Sequence, residues 1–389
     1  MAKEITFIVT KDCQLACKYC YLVGKNAKER MLFSTAKKAV DYILSNRKIF
    51  NDDRVVWAFI GGEPFIEVKL IDRICDYIKK EMYRLDHSWF NSYMISITTN
   101  GLNYGSSDVQ NFIEKNKLHL HICMTIDGTE IKHDLNRIYK TTGKGSYKQT
   151  VRNVPLWLRQ FPNASTKVTI SSDDIPYIKE SVLHLYGLGI HTVNINCVFE
   201  DVWREDDDKR FEEQLMALAD NIIDDGLYKK YDCSFFDESI GKPMNPERNN
   251  NWCGAGKMLS IDAAGNFYPC TRFAKYSLRK KSPIIVGNVE EGINLNRLRP
   301  FLSLDRYTQS SQECFNCEVA SGCAWCQGEN YDAAETNTIY QRATAICKMH
   351  KAQVRANNYY WNKLYRKLEL EGRREEYEKS KREVKQEIC

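Results

Sequence analysis

Three cysteines lie within eight residues near the start of the chain, in the segment KDCQLACKYCYLVG. Cys13, Cys17 and Cys20 have the spacing C-x3-C-x2-C, and cysteine thiolates bind zinc and iron–sulfur clusters. Three thiolates cannot close a tetrahedral zinc site, which needs a fourth ligand from elsewhere. In a [4Fe–4S] cluster three thiolates leave one iron open. The amine and carboxylate of S-adenosylmethionine could occupy that open position.

A second group of cysteines lies in the last third of the chain. Its members are Cys253, Cys270, Cys314, Cys317, Cys323, Cys326 and Cys347. In a short secreted chain many cysteines would indicate disulfides. In a chain of 389 residues without an export signal, 15 cysteines instead indicate metal binding or catalysis. Taken alone, the C-x2-C pairs of this group would also fit a zinc ribbon.

The composition is that of a soluble globular protein, with 43% hydrophobic and 28% charged residues. No stretch approaches the roughly 20 apolar residues of a membrane span, and the N-terminus lacks the pattern of a signal peptide. The net charge is +5, but basic residues are interleaved with nearly as many acids, so nucleic-acid binding is not predicted. We expect a cytoplasmic protein that binds neither nucleic acid nor membrane.

Six short runs rich in β-branched and aromatic residues predict strands in the first 225 residues. They are EITFIVT, RVVWAFI, YMISIT, LHLHICMTI, TKVTIS and HTVNINCVF. Amphipathic helical patterns lie between them, and this alternation predicts a parallel sheet with right-handed crossovers. Six units are fewer than the eight of a complete barrel. The predicted fold class is α/β, a partial (β/α)6 TIM-like barrel, with the first cysteines at the carboxyl end of its first strand, where such folds place their chemistry.

Three further motifs follow later strands of the predicted barrel. GGEP (61–64) follows the second strand, TTNG (98–101) the third and TIDG (125–128) the fourth, while Tyr19 directly precedes the last cysteine of the first group. One such motif alone would be an ordinary glycine turn. In this combination and order, the chain resembles the radical S-adenosylmethionine superfamily.

The resemblance implies how S-adenosylmethionine is bound. The GGEP backbone would hold the methionyl amino group, polar groups of TTNG and TIDG would contact the ribose, and Tyr19 would lie next to the adenine. The residues predicted to bind this cofactor are Tyr19, Gly61, Gly62, Glu63, Thr98, Asn100, Thr125 and Asp127. His133 and Arg137, in the following HDLNR segment, are either contacts of cofactor or substrate, or structural residues. The implied chemistry is reductive cleavage of S-adenosylmethionine to a radical that abstracts hydrogen from an unreactive C–H bond.

The seven-cysteine order resembles the SPASM extension of radical enzymes, which carries two auxiliary [4Fe–4S] clusters. By position, Cys253, Cys270 and Cys326 would hold the first, with one iron open or bound by a residue other than cysteine. The second would be closed by four thiolates, those of Cys314, Cys317, Cys323 and Cys347. The last gap has two residues where the family usually has three, which weakens the assignment of Cys326. The predicted cofactors are therefore S-adenosylmethionine and three [4Fe–4S] clusters.

Two departures from the family pattern narrow the function. Some SPASM enzymes add a cysteine six residues after the first, where this chain has Leu259. Anaerobic sulfatase maturases have an aspartate, a catalytic base, directly after the YPC cysteine, where this chain has Thr271. Both differences favour the ribosomal-peptide maturases. YPCTRF followed by IIVGNVEEGI looks most similar to maturases of small cysteine-repeat peptides.

The resemblance therefore implies an enzyme that forms an intramolecular thioether in a ribosomally made, cysteine-containing precursor peptide. An open auxiliary iron would hold the substrate thiolate during this reaction. The expected partners are that peptide and a one-electron donor such as flavodoxin or ferredoxin; no residue is predicted as the catalytic base. The alternatives are carbon–carbon crosslinking, epimerisation, sulfatase maturation and, from a different class, a zinc-binding module without catalysis.

The predicted domains are the barrel (1–225), a linker rich in turn formers (226–252), a SPASM domain with little regular structure (253–350) and a charged C-terminal helix (351–389). That helix either binds a partner or packs on the fold with a solvated tail. Asp237, near the domain junction, is either a substrate-side base or a capping or surface carboxylate. The first strand is predicted to start by about Glu4, without a separate leader-binding domain, so leader recognition is expected to use the barrel, the C-terminal helix or another protein.

Overall fold

A computed structural model describes residues 2–23, 27–243, 253–323 and 325–379. The strands are β1 Ala2–Thr10, β2 Arg54–Gly61, β3 Tyr93–Thr99, β4 Leu120–Thr125, β5 Ser165–Ile170, β6 Thr192–Cys197, β7 Asp232–Cys233, β8 Leu259–Ile261, β9 Asn266–Tyr268, β10 Gly287–Asn288 and β11 Gly292–Ile293. The α-helices are α1 Phe33–Ser45, α2 Val68–Arg84, α3 Ser107–Asn116, α4 Glu130–Asn136, α5 Tyr147–Val151, α6 Val154–Gln160, α7 Ile178–Gly187, α8 Asp207–Asp224, α9 Leu295–Leu302, α10 Arg306–Gln309, α11 Gln312–Phe315, α12 Gln327–Ala333 and α13 Cys347–Leu370.

Strands β1 to β7 lie side by side in sequence order and are parallel. Helices connect the first six, as the alternating pattern predicts, because parallel neighbours need a crossover that returns the chain to the same end of the sheet. The seventh strand has only two residues. The predicted α/β fold with a partial (β/α)6 barrel is confirmed.

The sheet continues past β1 into the cysteine-rich segment. β8 pairs parallel to β1, with Ile5 opposite Leu259, and β9 to β11 extend the sheet as antiparallel strands. Leu259 is 2% exposed and is therefore a core residue of β8. The first strand of the barrel thus lies between the second strand and a strand of the C-terminal region.

The last strands of the barrel turn polar side chains to the interior, whereas their opposite face, which packs on the helices, is apolar. In β5, Val168 and Ile170 are each 1% exposed. Their neighbours Lys167 and Thr169 line an interior cavity, together with Asn196 of β6. Because alternate side chains of a strand point to opposite faces, the interior of this barrel can hold a ligand.

The long helix α13 packs on α8 along its length. Ion pairs join Arg355 to Glu212 at 2.6 Å and Lys363 to Asp220 at 2.7 Å, and Leu364 is fully buried. The predicted helix boundary extends to residue 389, of which 380–389, with Cys389, lie outside the described residues; so do 244–252 of the predicted linker. None of the helices in the described part of the chain combines the length and apolar character that crossing a membrane requires.

Candidate functional site

The first cysteine group forms the loop that directly follows β1. Cys13, Cys17 and Cys20 line one side of a cavity of about 520 Å³ at the carboxyl ends of the parallel strands. A hydrogen bond from Ala16 N to Ile138 O, 2.8 Å long, holds the loop against the segment that follows α4. The three thiols therefore lie at the mouth of the barrel, where the sequence predicts them.

The GGEP turn follows β2 and packs directly on the cysteine loop. Gly62 N donates to Thr10 O at 2.9 Å, and Glu63 N donates to Asp12 O at 2.8 Å. A Cβ atom on Gly61 would lie 2.2 Å from Thr10 O, and one on Gly62 would lie 2.1 Å from Asp12 O. No side chain fits at such distances, so glycine is what allows the two backbones to approach.

The side chain of Glu63 connects the GGEP turn to the TTNG turn. Its carboxylate accepts hydrogen bonds from Thr99 Oγ1 at 2.7 Å, Asn100 N at 2.7 Å and Phe65 N at 3.0 Å. Glu63 is 1% exposed. Burial raises the pKa of its carboxyl above the usual value, and the hydrogen bonds offset only part of this rise. The carboxylate thus ties the main chain of the GGEP turn to that of the TTNG turn.

The hydroxyl of Tyr19 is hydrogen-bonded to two charged side chains. It is hydrogen-bonded to Asp127 and accepts a hydrogen bond from Arg137 Nη1 at 2.9 Å. Asp127 is fully buried and also accepts from Thr169 N at 3.2 Å. Burial alone would raise the pKa of Asp127, but the positive charges of Lys132 and Arg137 bring it below the usual value. The ring of Tyr19 is thereby fixed at the cavity wall.

The two residues of HDLNR have different surroundings. Arg137 lines the cavity. His133 is fully buried, with Nε2 3.1 Å from Ser146 Oγ, and burial lowers its pKa to about 3. Of the two candidates, the structure therefore places only Arg137 where it could touch a ligand.

The structure brings together most of the residues predicted to bind S-adenosylmethionine. Those that line the cavity with the three cysteines are Tyr19, Gly61, Gly62, Glu63, Thr98, Asn100 and Thr125. Asp127 does not line it and lies behind Tyr19. Cys326, more than 300 residues away in sequence, lines the same cavity.

The thiols of the predicted first auxiliary set are neighbours. Burial, followed by the nearby Cys253 and Cys326, raises the pKa of the Cys270 thiol. Gln327 N donates to Cys253 Sγ at 3.4 Å, which places Cys253 beside the start of α12. Of the three, Cys326 faces the site cavity.

The predicted second auxiliary set surrounds a separate cavity of about 790 Å³. Its four cysteines, Cys314, Cys317, Cys323 and Cys347, all line this cavity. Arg342 also lines it and donates from Nη2 to Cys323 Sγ at 3.0 Å. The guanidinium lies 4.6 Å from the ring centroid of Trp325, a distance at which the ring attracts the cation.

The arrangement of the thiols fits clusters better than single ions. Among the described residues, no three His, Cys, Asp or Glu side chains lie close enough to share one metal ion. Thiolates around one zinc ion all lie about 2.3 Å from it, whereas thiolates around a [4Fe–4S] cluster each bind a different iron. The three cysteines of the first group and the four of the second auxiliary set each line a cavity, which would fit the second geometry.

Arg272 joins the barrel to the C-terminal region at the cavity wall. It forms ion pairs with Glu200, just after β6, and with Glu329 on α12, each at 2.9 Å. The guanidinium also lies 5.1 Å from the ring centroid of Tyr21. Since all three charged side chains are at most 15% exposed, this network fixes how the two parts of the chain meet at the cavity.

Sequence reasoning missed several polar residues that line the cavity. They are Lys167, Thr169, Asn196, Glu200 and Arg272. For the first three a signal exists, since TKVTI and TVNINC alternate polar and apolar residues, whereas strands of a parallel sheet buried on both faces are apolar throughout. Cys197, a predicted strand residue, also lines the cavity. For Glu200 and Arg272 no local pattern exists.

Comparison with known proteins agrees with this site. A family described as "4Fe-4S single cluster domain" matches residues 5–152. The radical SAM cyclopropyl synthase TigE of Paramaledivibacter caminithermalis is 24% identical over 381 residues, covering 91% of this chain and 73% of TigE. An uncharacterised protein of Methanocaldococcus jannaschii is 27% identical over 272 residues, covering 69% of this chain and 84% of that protein.

Solved structures share the fold at low sequence identity. The structure of anSMEcpe with bound AdoMet has a TM-score of 0.70 at 16% identity, covering 93% of this chain and 98% of that chain. SuiB of Streptococcus suis, bound to the precursor peptide SuiA, has a TM-score of 0.59 at 14% identity, covering 89% and 76%. Together with the match to the radical SAM cyclopropyl synthase TigE, they confirm the predicted resemblance to radical S-adenosylmethionine maturases with a SPASM-type domain. The matched family is described by a [4Fe–4S] cluster, and the anSMEcpe structure contains bound AdoMet.

Proposed function

We propose that this protein is a radical S-adenosylmethionine peptide maturase that forms a thioether, from a cysteine sulfur to a carbon atom, within a ribosomally made precursor peptide. The observation that supports this reaction is the shared cavity. Cys13, Cys17 and Cys20 line it from the barrel, and Cys326 lines it from the C-terminal region. A substrate thiolate bound beside Cys326 would therefore lie in the same cavity as the carbon atom that loses hydrogen.

The cysteines of this chain have distinct roles in the proposal. Cys13, Cys17 and Cys20 hold the radical-generating cluster. Cys253, Cys270 and Cys326 hold an auxiliary cluster with an open iron, and the remaining four hold the second. When bound, the first cluster and S-adenosylmethionine supply a radical able to take hydrogen from an unactivated C–H bond. An external one-electron donor, such as flavodoxin or ferredoxin, starts the reaction.

The other residues of the cavity bind and orient the cofactor and shield the reacting groups from water. The main chain of Gly62 and Glu63 is hydrogen-bonded to the start of the cysteine loop, and the Glu63 carboxylate ties this turn to the TTNG turn. Tyr19 has its ring orientation fixed by Asp127 and Arg137. The buried Arg272 network covers the side of the cavity next to Cys326, which limits the access of water to a reactive intermediate.

The similar proteins support action on a peptide but differ in chemistry. SuiB is bound to a precursor peptide, and TigE is described as a cyclopropyl synthase. The match to TigE extends over 91% of this chain, which favours carbon–carbon bond formation as the second candidate. Thr271, where sulfatase maturases have an aspartate, favours neither of these two and argues against sulfatase maturation.

Anaerobic incubation with reductant, S-adenosylmethionine and a cysteine-containing precursor peptide encoded beside the gene tests the proposal. We expect a product lighter by two hydrogens in which one cysteine resists thiol alkylation. The C326A variant should lose the crosslink yet retain cleavage of S-adenosylmethionine, and C75A, which removes a core thiol, serves as the control. A lighter product in which every cysteine can still be alkylated would establish a carbon–carbon link, and incorporation of solvent deuterium would establish epimerisation.

Metal analysis separates this proposal from a zinc-binding module. Three clusters require about 12 irons and as many sulfides per chain, with a brown colour that reductant bleaches. A colourless protein with one or two zinc ions would end the radical proposal.

A further inference from the structure

A second cavity adjoins the candidate site on the side of β6. It has a volume of about 440 Å³ and shares Asn196, Cys197 and Phe199 with the site cavity. At its other end it shares Ile346 and His350 with the cavity of the four cysteines. Its volume lies within the usual range of ligand sites. The proposed function gives no role to this second cavity.

Two amide side chains of β6 face the second cavity. Asn194 and Asn196 occupy alternate positions of β6, and both are exposed. Neither side-chain amide is hydrogen-bonded to any residue in the described ranges. Each carries two N–H donors and a carbonyl acceptor, which is the complement that a peptide group needs.

The edge of β6 is covered only in part. The short strand β7 pairs with its first two residues. The hydroxyl of Ser234 then forms hydrogen bonds with both main-chain groups of Ile195. It accepts from the N–H at 2.7 Å and donates to the C=O at 3.3 Å. Alternate residues of a parallel ladder turn their main-chain groups to opposite neighbours, so those of Cys197 face the same edge as Ile195. Within the described part of the chain, nothing beyond Ser234 pairs with this edge.

We propose that the substrate peptide lies extended in the second cavity along the uncovered end of β6, with its main chain bound by Asn194 and Asn196. The inference rests on the proposed function, because it assigns the place of that substrate. An extended peptide beside an uncovered strand edge satisfies main-chain groups on both partners. Phe235 and Met349, which also line this cavity, contact a peptide side chain.

The position of the second cavity gives this binding mode a consequence for the reaction. A peptide that leaves the second cavity past Asn196 and Cys197 enters the site cavity, because these residues line both. The residue that follows the bound segment is therefore the one presented to the radical. Since the contacts are made to the main chain, the side chains of the bound segment can vary with little effect.

The test uses the reconstituted holoenzyme and a fluorescein-labelled precursor peptide encoded beside the gene. The double variant N194A/N196A should raise KM for the peptide about tenfold or more, since each lost hydrogen bond weakens binding severalfold. N194A alone, at a residue that lines only the second cavity, should raise KM severalfold while kcat and the Kd for S-adenosylmethionine change less than twofold. N296A, which alters an exposed amide on α9, should leave all three unchanged. Methylation of main-chain nitrogens next to the modified residue should raise KM in the wild type but add little in the double variant.

The outcomes distinguish this inference from the proposed function. If the wild type modifies the peptide and the double variant retains its KM and anisotropy, the assignment of the second cavity is overturned and the proposed function stands. If the effects of N-methylation and of N194A/N196A simply multiply, the amides do not contact the peptide main chain. If the wild type neither binds nor modifies the peptide, both the proposed function and this inference are overturned.

Discussion

Replacement of Glu63 by glutamine tests whether a buried carboxylate holds the GGEP and TTNG turns together. The two oxygens of Glu63 accept hydrogen bonds from one hydroxyl and two main-chain N–H groups. A glutamine amide has one oxygen and one NH2 group, so in either orientation an N–H donor of Phe65 or Asn100 faces another donor. A lost hydrogen bond to a charged group costs about 1.5–3 kcal/mol. Removal of a buried charge offsets part of this, which leaves an expected destabilisation of about 1–2 kcal/mol.

The same substitution should weaken the binding of S-adenosylmethionine. If the GGEP and TTNG turns separate, the free energy of the lost hydrogen bond also weakens the binding of S-adenosylmethionine. A loss of 1.4 kcal/mol corresponds to a tenfold change in Kd. We therefore expect a roughly tenfold higher Kd for S-adenosylmethionine in E63Q, measured anaerobically by calorimetry on the iron–sulfur-loaded protein. The matched control is E67Q, at the end of the same 3-10 helix (Pro64–Glu67), because no described residue hydrogen-bonds to the Glu67 carboxylate.

The pH dependence of stability provides a second measurement on E63Q. The pKa of Glu63 is raised in the folded protein, so between the unfolded and folded pKa values the folded state binds more protons. Wild-type stability should therefore fall as pH rises through that window, and E63Q should lack this fall. An E63Q protein with the wild-type Tm, the wild-type Kd and an unchanged pH profile would refute the role of this carboxylate.

Three further substitutions test other contacts of the site. R342Q removes the hydrogen-bond donor to Cys323. It should lower the midpoint potential of the cluster proposed at Cys323 by about 60–120 mV, because a charge-assisted hydrogen bond stabilises the reduced state. An EPR-monitored redox titration measures this potential. R355Q, in the same cavity but paired with Glu212, should not shift the potential, and equal shifts would contradict the reasoning. R272Q leaves Glu200 and Glu329 without their shared partner and should cost about 3–5 kcal/mol in urea unfolding; a cost no larger than that of the exposed R299Q would show that the network is dispensable. His133 has a folded pKa of about 3, so wild-type stability should fall by at most about 5 kcal/mol as pH drops from about 6.5 towards 3. When Tm is measured against pH, H133Q should show a smaller slope than the wild type. An equal slope would exclude His133 as the cause.

The position of the three glycine motifs could be predicted because it depends on local pattern and topology. Each glycine motif follows a strand with a clear periodicity, and the carboxyl ends of parallel strands meet at one edge. The sequence therefore places GGEP, TTNG and TIDG around one mouth. The order of the cysteines likewise separates Cys13, Cys17 and Cys20, which line the site cavity, from the four that line the second cysteine cavity.

The contacts made by individual side chains could not be predicted in the same way. Glu63 and Asp127 belong to cofactor motifs, yet their carboxylates are hydrogen-bonded to the chain itself. The pairing of Arg272 with Glu200 depends on how two distant segments meet. The strands β7 and β8 have only two and three residues, too few to show a periodicity, so the continuation of the sheet across the predicted domain boundary has no sequence signal.

The central place of β1 in the sheet has a consequence for biosynthesis. One edge of β1 pairs with β2, which begins at Arg54, but the other waits for β8, which begins at Leu259. At about 5–20 residues per second, the ribosome needs roughly 10–40 s to produce the chain between them. During that time an apolar strand edge, of the kind that promotes aggregation, lies open next to the cysteine loop. The sheet around β1, and with it the wall of the site cavity, can therefore be completed only after Leu259 has been synthesised.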